Sequence, residues 1–302
     1  MAGGQEGRVP VSVIIPTYGR GTAIIKVLER IALCRPLPAK IIVHLDAPAD
    51  NALAEISSLF PDVVVLSSNT RLGPGGGRHR ALMACDTPFA VSFDDDSYPI
   101  DEQFFSEVER LFGQNEDVAL LAAQIWHRNE EMPGLSDWMY DRPSFVGCGF
   151  AIRVEAYRKI RGYLPRPVAY GVEETDVSLQ LFAARQRICQ VGALRVFHDT
   201  DLKHHSSAVI TAASITNLGL YAFLHYPASR LGWGVLQVAN RVRFLASRRR
   251  FRGIIAGFLA IPLDCYRFRQ YRDPVDPDVL SRFFRLISRD PKPTMQGSVN
   301  GS

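Results

Sequence analysis

Several kinds of segment are missing from this 302-residue chain, and each absence narrows what it can be. Cysteine is sparse: Cys34, Cys85, Cys148, Cys189 and Cys265 are odd in number, scattered, and form no CxxC pair. A disulfide framework or zinc knuckle is therefore not expected, and reduced thiols in a cytosolic setting are. The opening "MAGGQEGRVPVSVIIP" lacks the long apolar stretch behind a basic start that an export signal needs. No run reaches the roughly eighteen apolar residues of a spanning helix. The longest candidate, "GIIAGFLAIPL" from Gly253 to Leu263, is too short and contains Pro262. Internal repeats and low-complexity segments are lacking too. The expected location is the cytoplasm or the inner face of the membrane.

What remains is an ordinary globular composition, 47% hydrophobic and 22% charged, long enough to bury a large core. Acidic charge is nearly missing from one stretch. Between Arg230 and Arg272 stand ten arginines and one acid, Asp264, so this segment carries +9 while the rest of the chain sums to −5. Its arginines interleave with Phe, Leu and Ile in "RVRFLASRRRFRGIIAGFLAIPLDCYRFRQYR", which suits a helix lying in an anionic membrane interface. The alternative is a helical appendage packed on the body or on a second subunit, as in a homodimer, with its arginines solvated. A basic patch so confined argues against a nucleic-acid-binding protein.

The first half alternates β-rich runs, "VSVIIP" (Val11 to Pro16), "KIIVHL" (Lys40 to Leu45), "DVVVLS" (Asp62 to Ser67) and "FAVSF" (Phe89 to Phe93), with segments of helical spacing. That alternation predicts an α/β fold with a mostly parallel twisted sheet covered on both faces by helices. "VALLAAQIW" reads as another strand and "EEMPGLSDWMYDRPSFVGCG" as a long irregular connection. Helices at "VEAYRKI" and "EETDVSLQLFAARQ" and a strand near "ICQVGALRVF" follow. The expected layout is a catalytic domain over residues 9–205, a basic helical extension over 206–290 and a disordered tail over 291–302.

In such sheets ligands gather at the carboxyl ends of the strands, which here carry Thr17, Asp46, Asn69 to Arg78, and Asp94 to Asp96. Asp94 and Asp96 can point to one side of the turn after their strand and Asp95 to the other. Paired carboxylates with oxygen-only chemistry suit Mg²⁺ or Mn²⁺ held jointly with a phosphate. A solvated acidic turn, with Asp96 or Ser97 capping the next helix, fits the same residues. In "NTRLGPGGGRHRAL" the glycines, Gly73 among them, let backbone amides approach a ligand at a helix start, and Arg71, Arg78 and Arg80 suit a diphosphate. A flexible basic loop is the alternative. Glu173, Glu174 and Asp176 cluster at another helix start, where the helix dipole favours acids on any helix. A carboxylate set in a partly apolar pocket there would serve as a general base. His198, ending an apolar strand, could ligate a metal or bond a phosphate, or be a polar terminus, with His204 and His205 close behind.

Taken together these stretches resemble family 2 glycosyltransferases of the GT-A fold, over roughly residues 9–200. "VSVIIPTYGR" is similar to the family's first strand and nucleotide loop, which assigns Pro16, Thr17, Tyr18 and Arg20 to the donor. "KIIVHLDAPAD" stands where the family has "IIVVDDGSTD", putting Asp46 on the aspartate that contacts the nucleobase. "NTRLGPGGGRHRAL" resembles "NxGxxxARNxGL", with Arg78 on the motif arginine. "VSFDDDSYP" matches the DxD strand, and "GVEETDVSL" the "GEDxDLxLR" motif. The resemblance implies an inverting, metal-dependent transfer from a nucleotide-diphosphate sugar to a glycan or lipid-linked acceptor, in polysaccharide or glycoconjugate synthesis. Asp94 and Asp96, with His198, would hold the cation. Asp94 and Asp95 would also touch the nucleotide sugar, and Glu174 would be the base. Leu45, Ala47, Pro48, His79 and Glu174 depart from the pattern. The rival readings are a sugar nucleotidyltransferase, whose glycine loop should follow the first strand, and a degenerate nucleotide-binding module.

Overall fold

The computed structural model describes residues 7–19, 21–47, 52–168, 171–200 and 207–289. Arg20, Pro48, His204, His205 and the segment 291–302 lie outside the described residues. In chain order come β1 (Arg8–Thr17), α1 (Gly21–Ile31), β2 (Leu37–Asp46), α2 (Ala52–Leu59), β3 (Val64–Ser68), α3 (Gly73–Met83) and β4 (Phe89–Phe93). These are the elements that the alternating pattern predicts. Their strands pair in the order β3-β2-β1-β4, all parallel, because each is joined to the next by a crossover helix.

The second half differs from a purely parallel arrangement. It contains β5 (Ser97–Pro99), α4 (Phe104–Gln114), β6 (Val118–His127), β7 (Met139–Asp141), β8 (Gly149–Arg153), α5 (Val154–Arg158), α6 (Glu173–Ala183) and β9 (Arg187–His198). The long connection after β6 returns the chain as β8, antiparallel to both β4 and β6. β9 then runs parallel to β6 and pairs on its other side with short β5. Thus β4 and β9 both deliver their carboxyl ends near the same edge, although about a hundred residues separate them.

Side chains alternate across the sheet with the strand period of two. Val13, Val43, Val91 and Leu121 enter one core layer with α1 and α4, while Ile14, Ile42, Ala90 and Leu120 enter the other with α3 and α6. Beyond β9 the chain is helical: α7 (Ala208–His225), α8 (Leu231–Ser247), α9 (Ile254–Arg267) and α10 (Pro277–Arg289). One expectation is corrected here. Helix α7 is 18 residues long with mean hydropathy 1.3, so by length and composition it could cross a membrane. It is mostly covered instead: Tyr221 and Ala222 pack against α6 and α10, Leu220 and Leu224 against Leu164 and Phe268, and Ile215 against Val238 and Leu245 of α8.

Candidate active site

The glycine loop is shaped by an aspartate from the neighbouring strand. Asp46, at the end of β2, accepts hydrogen bonds from the amides of Leu72 (2.7 Å) and Gly73 (2.8 Å) and from Ser68 Oγ (3.1 Å). These two amides stand at the start of α3, where no helical carbonyl can satisfy them. Its carboxylate is thus engaged with the loop itself, a role the sequence did not suggest beside its place at the base contact. Gly73 has φ +75°, and a Cβ on it would lie 1.8 Å from the Arg166 carbonyl oxygen, so glycine is required. Ala47, where the family carries glycine, keeps a left-handed backbone at φ +46°, a strain of about 1–2 kcal/mol for a residue with a Cβ.

Three consecutive aspartates would repel one another, and the fold separates them by giving each its own partner. Asp94 forms an ion pair with the buried guanidinium of Arg78, whose Nε also donates to Ser92 Oγ at 3.1 Å. Asp95 accepts from Thr17 Oγ1 at 2.7 Å, tying the end of β4 to that of β1. Asp96 lies 3.2 Å from His198 Nε2. Burial opposes a charge on His198, but its hydrogen bonds to Asp96 and Cys148 win and push it up to about 11. Arg78 therefore acts from beneath the acidic turn.

Pro16, Thr17, Tyr18, Asp46, Arg71, Gly73, Asp94, Asp95, Asp96 and His198, all singled out in the sequence, line one cleft of about 360 Å³ together with Pro74 and Thr200. That volume falls in the range of small-ligand sites. At its mouth the Arg71 guanidinium stacks 4.2 Å from the centre of the exposed Tyr18 ring. The donor atoms present fit a divalent cation. One oxygen of Asp94, a nitrogen of His198 and the sulfur of Cys148 all lie within 4.8 Å of one another, with Asp96 on the far ring nitrogen. Sequence reading missed Cys148. It is buried behind His198, its Sγ 3.6 Å from Nδ1, and no motif marks it.

The acidic cluster of α6 is split by the fold. Glu173 accepts the Gly75 amide at 3.1 Å, and a Cβ on Gly75 would lie 2.1 Å from its Oε1. Burial, then the neighbouring Glu174, pushes the Glu173 carboxyl up to about 8. Glu174 is likewise raised by burial, against the pull of Arg78. A Cβ on Gly147 would lie 2.6 Å from Glu174 Oε1 and 2.9 Å from Arg78 Nη2, so Glu174, Arg78 and Asp94 form one continuous cluster under the cleft. Asp176 goes elsewhere. Its carboxylate pairs with Arg161, His225 Nε2 (2.7 Å) and Gln180 Nε2 (2.7 Å), joining α6 to α7. Burial raises its pKa, but His225 and Arg161 outweigh it and hold the carboxyl below its ordinary range. The sequence had grouped Asp176 with the candidate catalytic acids, and the structure engages it in this interhelical network.

The raised Glu173 carboxyl has a thermal signature. Its folded pKa lies above the ordinary 4.5, so the stability it contributes is complete below that value and is lost as pH rises through about 8. Between roughly pH 5 and 9 the melting temperature of wild type should fall more steeply than that of Glu173→Gln, which keeps the acceptor for Gly75 but never ionises. Parallel melting curves across that interval would contradict the assignment.

A half-sheet of four parallel strands, a glycine loop opening α3 and an acidic turn ending β4 make up a GT-A-type fold. The family model of glycosyl transferase family 2 matches residues 12–137, and that of the N-terminal domain of galactosyltransferase matches residues 134–205. The chain is thus similar to glycosyl transferase family 2 over residues 12–137. No curated protein matches its sequence. Solved structures share the fold at low identity. TarS residues 1–349 of S. aureus in complex with UDP-GlcNAc aligns with TM-score 0.56 and 17% identity, covering 76% of this chain and 72% of TarS 1–349. The mannosyltransferase PcManGT of Pyrobaculum calidifontis, with GDP-Man and Mn²⁺, aligns with TM-score 0.56 and 14% identity over 93% and 86%. GalNAc-T7 with UDP, GalNAc and Mn²⁺ aligns with TM-score 0.55 and 14% identity over 72% of this chain, which spans 48% of that enzyme.

Proposed function

We propose that this protein is an inverting glycosyltransferase that moves a sugar from a nucleoside-diphosphate donor to a hydroxyl of a glycan or lipid-linked acceptor, in polysaccharide or glycoconjugate assembly. The observation that carries the reading is the gathering of Asp94, Asp96, His198 and the glycine loop in one cleft at the strand ends. Asp94 and Asp96, joined by His198 once it gives up its proton, would hold the divalent cation. When bound, Mn²⁺ or Mg²⁺ neutralises charge on the departing diphosphate. Helix α3, whose first amides are held by Asp46 and Glu173, aims the positive end of its dipole toward the same phosphates. Arg71 is placed at the mouth to add a charge-assisted hydrogen bond. Glu174 withdraws the proton of the acceptor hydroxyl as its oxygen forms a bond to the anomeric carbon and the diphosphate oxygen leaves from the opposite face. One such displacement inverts the anomeric centre.

Three relatives crystallised with UDP, UDP-GlcNAc or GDP-Man, two of them with Mn²⁺, support a nucleotide-sugar donor. The nucleotidyltransferase reading loses ground because the glycine loop follows β3, not β1. Calorimetry of the full chain is the direct test. UDP or GDP should bind in the presence of Mn²⁺ and lose at least about tenfold in affinity when EDTA is added or when Asp96 is changed to Ala. If neither diphosphate binds with metal present, the proposal fails.

A further inference from the structure

Helix α9 turns its apolar side to solvent. Its inner face meets α7 through small residues: a Cβ on Gly257 would lie 2.7 Å from the Ala212 carbonyl oxygen, and Thr216 Oγ1 donates to the Gly257 carbonyl at 3.0 Å. Its outer face carries Ile255, Leu259, Leu263 and Tyr266, whose spacing places them along one side of the helix. These four are 68–76% exposed. No charged residue occurs between Ile254 and Leu263, and the helix's acid, Asp264, turns inward to Arg166 at 2.7 Å. Arginines stand at both ends, Arg248 to Arg250 and Arg252 before the helix, and Arg267, Arg269 and Arg272 at and beyond its end. Arg269 covers the Tyr266 ring at 4.0 Å.

We propose that this face of α9 is the site at which the protein docks on an anionic membrane surface. A contiguous apolar stripe rimmed by charge is the usual mark of an interaction surface. The charge decides between occupants. A second copy of the chain, related by a two-fold axis, would bring the patch against itself, setting one +9 segment against another whose sole acid is already paired. An anionic bilayer offers both what the stripe lacks and what the arginines lack, an apolar layer just below a negative headgroup plane. Geometry favours lying over spanning. The 14 residues of α9 reach about 21 Å, short of the hydrocarbon thickness. The longer apolar helix, α7, is covered by its neighbours.

Docking through α9 does not depend on the chemistry proposed for the cleft, yet the two are mechanically joined. Arg166 pairs with Asp264 of α9, while its own carbonyl lies where a Gly73 side chain would have to go. The helix on the membrane therefore braces the segment that packs on the glycine loop.

Flotation of the full chain with liposomes tests the proposal. Phosphatidylcholine vesicles containing phosphatidylglycerol should carry at least about tenfold more protein than phosphatidylcholine alone, and the excess should fall as salt is raised. Leu259→Ser combined with Leu263→Ser alters two exposed side chains, so it should melt like wild type and yet stay at the bottom of the gradient. Arg248→Gln with Arg249→Gln should weaken flotation severalfold. The proposal is overturned if wild type does not float, if anionic lipid makes no difference, or if the Leu259/Leu263 variant floats like wild type. It is equally overturned if light scattering finds a wild-type dimer that the same variant converts to a monomer.

Discussion

Replacing Glu174 by Gln should lower the rate of sugar transfer by about three orders of magnitude while leaving nucleotide affinity within about twofold. The amide has nearly the shape of the carboxylate and cannot accept the acceptor's proton. In the proposed mechanism donor binding rests on other residues, the glycine loop and the Asp94 to Asp96 turn, so the loss should fall on kcat. Burial lifts the Glu174 carboxyl above its ordinary range. The acid limb of the wild-type profile should accordingly lie above the pH of an ordinary carboxylate, and it should vanish in the variant. Glu174 stands where the family mostly has aspartate, and the fold accommodates the extra methylene: the missing side chain of Gly147 leaves room where Glu174 Oε1 lies. Glu174→Asp would draw the carboxylate back by about an ångström, and a loss on the order of a hundredfold is expected. Single-turnover kinetics with a saturating donor measures both. Unchanged transfer in Glu174→Gln would remove it as the base and turn attention to Glu173.

The largest effect on stability should come from Asp176→Ala. Its carboxylate faces Arg161 and His225, both in the joint between α6 and α7, and removing it leaves those groups without their counterion. Breaking a buried pair from one side costs about 3–5 kcal/mol. For a chain of this size that corresponds to a melting temperature lower by about 10 °C. The sign of the pH dependence follows from the depressed carboxyl pKa: its stabilisation is present above the ordinary value and is lost as pH falls through the folded value. The gap between wild type and Asp176→Ala should therefore narrow below about pH 4. Calorimetric melts of both proteins across the acid range decide it. A variant that melts like wild type yet transfers no sugar would return Asp176 to the catalytic acids.

The two expectations separate residues that stand two positions apart on one helix, and sequence could not have done so. A first-turn acid is favoured on any helix, whatever lies opposite it. What lies opposite Asp176 is His225, 49 residues onward in a helix whose docking the sequence does not encode locally. The same holds for Arg78. Its motif suggested a phosphate, but the fold places its guanidinium in the core, under Asp94. Cys148 was invisible because a lone cysteine before a strand carries no pattern.

Composition nevertheless reached far. Strand-helix alternation implied the parallel half-sheet, and the polar residues just after each strand implied the cleft, because both depend on periodicity and on where backbone amides end. The arginine-rich segment was legible as charge. Which side of α9 is open was not, since an apolar stripe reads the same whether a neighbouring helix covers it or water does. The sequence by itself determined the alternating elements of the first half, their order and most of the chemical inventory of the site, all of which are local properties, but not β5, β7 or β8. Only the tertiary structure decided which carboxylate meets which cation, that Asp94, Cys148 and His198 converge, and that α9 faces outward. Those outcomes depend on contacts between residues distant along the chain, and the packing of the layers settles them.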